Sequence, residues 1–328
     1  MPGFTEQLLG VAGNALVRPG ADPTYADGDD ATWMEVDWPA LRRSVRVAGR
    51  ALNVVDTRSD KPPLLLIHGL GGAWQNWLLT IPAFMGSHRV VAPDLPGFGD
   101  SEMPVGRISI QGFARVIDEL CRVLELEAPV VVGNSMGGFI GAELALAFPT
   151  RVRRLVLVSA AGLSVEYLKK EPLLTVGRLL SVAATGAGAR SRTAIRRPRL
   201  RRLFLQLVVR YPEKLSGPLA TELVAGGDAP GFVGGLDAVL TYRIRERLSE
   251  IEVPTLIVWG RNDILVPVGD AAEFERLIGP NAHAVIFEDT GHVPMLERPS
   301  RFNALLADFI AGEAAPDVSG ATPARTAP

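Results

Sequence analysis

Val130-Val131-Val132-Gly133-Asn134-Ser135-Met136-Gly137-Gly138-Phe139-Ile140 reads as a strand, a tight turn and the start of a helix that runs to Phe148 and stops before Pro149. Three valines in a row, without polar alternation, suit a strand covered on both faces. The turn has the form G-x-S-x-G, with Gly133 two residues before Ser135 and Gly137 two after. A nucleophilic serine must project from a sharp strand-to-helix turn, and flanking glycines remove side chains that would collide there. The helix behind the turn offers free N–H groups to developing negative charge. The plainer alternative is a glycine-rich turn with a capping serine.

Working outward, the same grammar repeats. Residues 44–47 and 51–55 read as a hairpin around Ala48-Gly49-Arg50. Short apolar runs follow at 64–67, 89–92, 155–158, 255–258 and 284–287, and helical patterns fall at 108–126, 137–148, 268–278 and 299–312. Strand and helix in alternation predict an α/β fold, a mostly parallel twisted sheet with helices on both faces. Between Val158 and Thr255 the alternation lapses into helical patterns at 165–185, 190–211, 213–225 and 236–248. An all-helical insertion at this point would lie over the carboxyl ends of the strands, where open α/β sheets bind ligands. The expected division is an N-terminal helix and linker (1–40), a core (41–162 and 250–312), a helical cap (163–249) and a disordered tail (313–328).

A serine hydroxyl needs a base, and the base needs a partner that sets its tautomer. Of the four histidines, His88 and His283 enter strands from surface-like turns. His68, in His68-Gly69-Leu70-Gly71-Gly72, follows the strand at 64–67. It is read as a brace for its loop, with direct catalysis as the alternative. The base is then His292, in Asp289-Thr290-Gly291-His292-Val293-Pro294. Asp263, just past the strand at 255–258, is chosen to orient it, with Asp289 and Asp270 as rivals. A tetrahedral intermediate needs two N–H donors about 3 Å from its oxygen, and Leu70 and Met136 are the candidates. Asp94, in Asp94-Leu95-Pro96-Gly97-Phe98-Gly99-Asp100-Ser101, is read as holding backbone N–H groups.

Taken together, HGLGG (68–72), DLPGFGDS (94–101), GNSMGG (133–138) and the pair GRNDILVP (260–267) and GHVPMLERP (291–299) resemble the α/β-hydrolase superfamily over about residues 42–312. The resemblance implies the α/β-hydrolase fold, acyl transfer to Ser135 and hydrolysis by water, with no metal and no organic cofactor. A nucleophilic aspartate would point to dehalogenases or epoxide hydrolases, and this chain has a serine. One reading is a carboxylic ester hydrolase, lipase-like or acting on thioesters, with segments such as 172–174 and 203–209 lining an apolar acyl pocket. A second is suggested by residues 72–77 and VGNSMGG, which look similar to carbon–carbon bond hydrolases that act on meta-cleavage products. That similarity implies that Asn76 and Asn134 help His68 and Gly69 shape and support the substrate loop. Val293 and Leu296 stand where that group carries aromatic residues. A third reading is a binding protein on a hydrolase scaffold.

Bulk properties narrow the partners. The 328 residues are 47 % hydrophobic and 21 % charged, enough for a large core. The formal net charge of −2 gives no global pull toward nucleic acid. Cys121 is the lone cysteine and sits in an apolar periodic stretch, which reads as a buried thiol in a reducing compartment. No basic, then apolar, leader opens the sequence and no apolar run reaches membrane-spanning length, so cytoplasmic residence is expected. From Arg190 to Lys214 nine basic residues meet one acid, Glu213. A solvated helix face is one reading. Attraction to an anionic lipid surface or an acidic substrate such as a coenzyme A thioester is the other. The partner expected from these features is a small acyl substrate, apolar in character.

Overall fold

The computed structural model describes residues 23–28, 30–164, 195–224 and 229–312. The helices expected near the N-terminus and at 165–185, the side chains of Arg190 and Arg192, and the tail at 313–328 lie outside these residues. Two short helices come first, α1 (Asp30–Met34) and α2 (Trp38–Leu41), the second capped by Asp37, whose carboxylate accepts the Ala40 N–H at 3.1 Å. Strands β1 (Arg42–Val47) and β2 (Arg50–Asp56) form the expected hairpin. Then come β3 (Pro63–Ile67), α3 (Ile81–Phe84), β4 (Arg89–Pro93), α4 (Ile110–Val123), β5 (Val130–Asn134), α5 (Met136–Ala147) and β6 (Arg154–Val158).

Among the described residues the insertion contributes α6 (Pro198–Leu205), α7 (Gly217–Leu223) and α8 (Phe232–Thr241). The chain closes with β7 (Thr255–Gly260), α9 (Gly269–Ile278), β8 (Ala282–Phe287), α10 (Pro294–Glu297) and α11 (Pro299–Ala311). Three expectations shift. The helix expected at 213–225 starts only at Gly217, where Ser216 caps it by accepting the Leu219 N–H (3.1 Å), and ends at Leu223. Residues 206–211 leave the helix because their backbone is used elsewhere: Val208 O accepts the His292 N–H (2.9 Å) and the Arg210 N–H goes to Glu297 (2.8 Å). The helix expected at 236–248 begins earlier, at Phe232, where Gly234 and Gly235 let it pack closely on Ile108, Leu70 and Phe98, and it ends at Thr241, with a separate 3-10 turn at Arg245–Glu250.

The described strands make one eight-stranded sheet in the order β1-β2-β4-β3-β5-β6-β7-β8, antiparallel at β1-β2-β4 and parallel from β4 onward. This is the α/β-hydrolase architecture the motifs implied. Both faces are buried, and the strand period of two divides them. Leu65, Ile67, Val131, Leu155, Leu157 and Ile257 join the core under α4 and α5, whereas Leu64, Leu66, Val132, Val156 and Val258 join the core under α11. Cys121 is buried in the first of these, and burial pushes its thiol pKa up to about 12, so it stays an inert thiol. After β3 the chain pairs β4 on one side and then crosses to place β5 on the other. The crevice between the ends of β3 and β5 is therefore a topological switch point, the place where such sheets bind ligands. No helix among the described residues is long and apolar enough to cross a membrane.

Candidate active site

Ser135 sits at the end of β5 with φ 55° and ψ −116°, a region L-residues rarely occupy. The turn is fixed by backbone: the Ser135 N–H donates to Val158 O (2.9 Å), and its carbonyl accepts from Ala161 (3.0 Å) and Phe139 (3.2 Å). It is also too tight for side chains beside it. A Cβ on Gly133 would collide with Gly137 O, and one on Gly137 with Ile67 O. That is the physical content of the G-x-S-x-G pattern here.

Across the switch point lies the loop after β3. A Cβ on Gly69 would come within 3.1 Å of the Ser135 Cβ and 3.2 Å of Asn134 Oδ1, so this loop runs directly over the serine. His68 holds it. Its Nε2 accepts the Leu95 N–H (2.9 Å), which makes Nδ1 the protonated nitrogen, donating to Gly69 O (2.8 Å). Burial lowers its pKa, so the neutral brace persists. The next loop is held likewise: Asp94 accepts from Trp74 N (2.9 Å), Asn53 Nδ2 (2.8 Å) and Asp100 N (3.0 Å). Among the described residues, neither the Leu70 nor the Met136 N–H donates to a protein acceptor, and both flank the serine, Leu70 on the covering loop and Met136 next in the chain.

His292 and Asp263 come from the two loops beyond β8 and β7. The His292 Nδ1 lies 2.7 Å from Asp263 Oδ2, and both residues are buried. The other carboxylate oxygen of Asp263 accepts the Leu265 and Val266 N–H groups, each at 2.9 Å, so the carboxylate cannot turn away. A Cβ on Gly260 would strike Gly291 O, and this close approach of the β7 end to the histidine loop makes the pairing possible. The rivals are engaged elsewhere. Asp289 accepts from the Tyr211 hydroxyl (2.8 Å) and pairs with Arg210 (3.3 Å), while Asp270 accepts the Ser164 N–H (2.9 Å).

Asn134 links the two halves. Its Nδ2 donates to Val158 O and to the carbonyl of His292, both at 3.2 Å. The carboxamide of Asn76 lies against Gly72, at the far end of the covering loop. His283 is exposed and lies 3.7 Å from Glu275, and His88 is half-buried beside Ser87. Among the described residues no group of three or more His, Cys, Asp and Glu side chains is placed to hold a metal ion.

The sequence reading passed over one residue. Glu297, buried without exposure, accepts the Tyr25 hydroxyl (2.6 Å), the Arg210 N–H (2.8 Å), the Gly291 N–H (3.0 Å) and the Val293 N–H (3.2 Å). It thus takes the amide on each side of His292. Burial raises its pKa against the pull of these donors. The signal was present as the glutamate of GHVPMLERP, but only the folded chain shows what it collects. The insertion closes the site from two sides. Val208 O receives the His292 N–H, and on α8 Phe232 lies on Gly71 while Gly235 lies near Leu70 and Met136.

A family model described as alpha/beta hydrolase fold matches residues 62–299. The 2-hydroxymuconate semialdehyde hydrolase of Pseudomonas sp. (strain CF600) is 31 % identical, over 83 % of this chain and 95 % of its own. A crystal structure of a meta-cleavage product hydrolase superposes with TM-score 0.65 at 28 % identity, covering 83 % of this chain and 98 % of that one. One of a bacterial membrane phospholipase A superposes with TM-score 0.66 at 26 % identity, covering 94 % and 96 %.

Proposed function

The chain belongs to the alpha/beta hydrolase fold family and is a hydrolase, and from that premise we propose that it cleaves carboxylic esters through an acyl-enzyme formed on Ser135. The reading rests above all on the 2.7 Å contact between His292 Nδ1 and Asp263 Oδ2, beyond the ends of β8 and β7 at the same carboxyl edge of the sheet as the Ser135 turn. With Nδ1–H given to Asp263, the Nε2 of His292 is left as the lone-pair nitrogen, the tautomer a general base needs. His292 takes the Ser135 proton as the hydroxyl attacks the substrate carbonyl. The Leu70 and Met136 N–H groups receive the oxyanion. His292 then protonates the leaving group and activates water for deacylation, while Asp263 balances the imidazolium. Residues 163–249 act as the cap that shapes the acyl pocket.

Two observations favour an ester over a carbon–carbon bond. Both donor contacts of Asn134 go to backbone carbonyls, and the residue after the base is Val293, buried in the core, where an aromatic was the feature to seek. The relatives favour the second reading, cleavage of a carbon–carbon bond beside a carbonyl in a ring-fission product. A hydrolysis panel decides: p-nitrophenyl esters of rising acyl length, an acyl-CoA and a ring-fission dienoate. Turnover of the esters with the dienoate untouched is the expected result, and the reverse overturns it. A fluorophosphonate probe should label the wild type and spare Ser135→Ala. Absence of labelling in the folded wild type would favour a binding protein.

A further inference from the structure

Two surface patches at the rim of the site remain unexplained by the chemistry. The first is α6. Its inner side is anchored by Arg201, which is buried and donates to the carbonyls of Ile195 (3.0 Å), Arg196 (2.9 Å) and Leu215. Arg201 is therefore not part of a solvated face, contrary to the simpler reading of the basic run. The outer side is different. Arg196, Arg197, Arg199 and Arg202 are exposed, and none meets a carboxylate among the described residues. Leu203 stands among them at 62 % exposure. Arg199, Arg202 and Leu203 share one helical stripe, since positions three and four apart are neighbours.

The second patch lies on the loop before α4 and on α8. Met103, Val105 and Val233 are exposed at 42 %, 74 % and 77 %. The Arg107–Asp237 pair (2.6 Å) draws the loop and helix together. Beside them opens a trough of about 300 Å³, floored by Ile108 and Phe113 and rimmed by Arg50, Arg107 and Arg115. Arg50 and Arg115 have no carboxylate partner among the described residues, and the one acid in the lining, Glu119, accepts the Ala48 N–H (3.1 Å). Both patches belong to the carboxyl edge of the sheet. Three residues past α6, Val208 receives the N–H of His292, and α8 packs on Leu70 and Met136.

We propose that this rim is a docking surface for a bilayer rich in anionic lipid. Exposed aliphatic side chains interleaved with unpaired guanidiniums are the composition that seats a surface element at the headgroup level. The chain as a whole carries a formal charge of −2, so attraction to an anionic surface comes from this rim and not from the molecule's net field. A soluble anion would use the guanidiniums and leave the aliphatic side chains idle, whereas a bilayer uses both. Docking does not depend on the ester reading, and it can be read with catalysis switched off.

The test is sedimentation of the full chain with vesicles of phosphatidylcholine alone or with roughly three parts in ten phosphatidylglycerol, at about 0.05 M and about 0.5 M salt. The wild type and Ser135→Ala should both partition onto the anionic vesicles at low salt, ignore the neutral ones, and release at high salt. Each basic side chain at such a surface contributes on the order of fivefold, so R199Q/R202Q should lose about thirtyfold in partition. Val233→Trp should give a blue-shifted emission on adding anionic vesicles, reporting burial of the aliphatic patch. Wild-type protein left in the supernatant at low salt overturns the inference. So does R199Q/R202Q binding as the wild type does, or a Val233→Trp emission that does not move. Fluorophosphonate labelling of the same samples keeps a failure of docking distinct from a failure of the serine chemistry.

Discussion

At the scale of single residues, the pair His292 and Asp263 and the carboxylate of Glu297 divide the labour. In the proposed mechanism the first sets the proton, and the second holds the loop on each side of His292. Replacing Ser135 or His292 by Ala should lower kcat by several orders of magnitude in a steady-state assay. Glu297→Gln keeps the shape but turns one acceptor into a donor facing N–H and O–H groups. We expect a drop in kcat of roughly ten- to a hundredfold, with KM little changed, alongside a loss of about 2–4 kcal/mol in denaturant unfolding. Asp270 offers a pH test. Burial pushes its pKa up to about 6 from an ordinary 3.8, helped by nearby Asp263 and opposed by hydrogen bonds from Ser164. A carboxyl with a raised folded pKa holds its proton longer in the native state, so stability falls as pH rises from about 4 to about 6 and is flat above. Asp270→Asn should remove that slope. It should stabilise the protein at neutral pH by up to about 3 kcal/mol and do little below pH 4, and melting curves across that range would reveal it.

At the scale of elements, the strands were legible because nothing in their sequences competes with the pattern. Runs such as Leu64-Leu65-Leu66-Ile67 and Val130-Val131-Val132 are too short for a helix and have the composition of strands covered on both faces, and the structure extends each by a residue or two. The turn glycines were legible for the same reason. The insertion was not. Its basic run was read by charge alone, which cannot separate Arg201, holding three carbonyls inside, from Arg199 one turn of thought away on the surface. That contrast is measurable. Arg201→Leu takes the donor from three carbonyls, two of them buried, and should cost about 2–4 kcal/mol, while Arg199→Gln should stay within about 0.5 kcal/mol by thermal denaturation. The end of α6 was likewise hidden, because residues 206–211 leave the helix to serve the histidine loop through tertiary bonds that no local propensity records.

At the scale of the whole molecule, three segments far apart in sequence meet at one carboxylate. Tyr25 gives its hydroxyl proton to Glu297 and accepts the Tyr211 N–H (2.9 Å), so the N-terminal segment, the insertion and the histidine loop share a single knot. Burial and the neighbouring Glu297 raise the Tyr25 pKa well above its usual value, which keeps that proton in place. Tyr25→Phe should destabilise the fold by about 1–3 kcal/mol in chemical denaturation, since it strands a buried acceptor and a buried donor together. The sequence could name the triad candidates but not this convergence, because Tyr25 carries no motif and its meaning lies wholly in what surrounds it. The seam between β6 and β7 has a use of its own. Everything up to residue 164 brings Ser135, everything from β7 onward brings Asp263 and His292, and the two are stitched by strand pairing and by the Asn134 contact to the His292 carbonyl. A gene divided within 165–194 would yield a pair of silent fragments, and colour from a chromogenic ester would announce their reunion inside a cell.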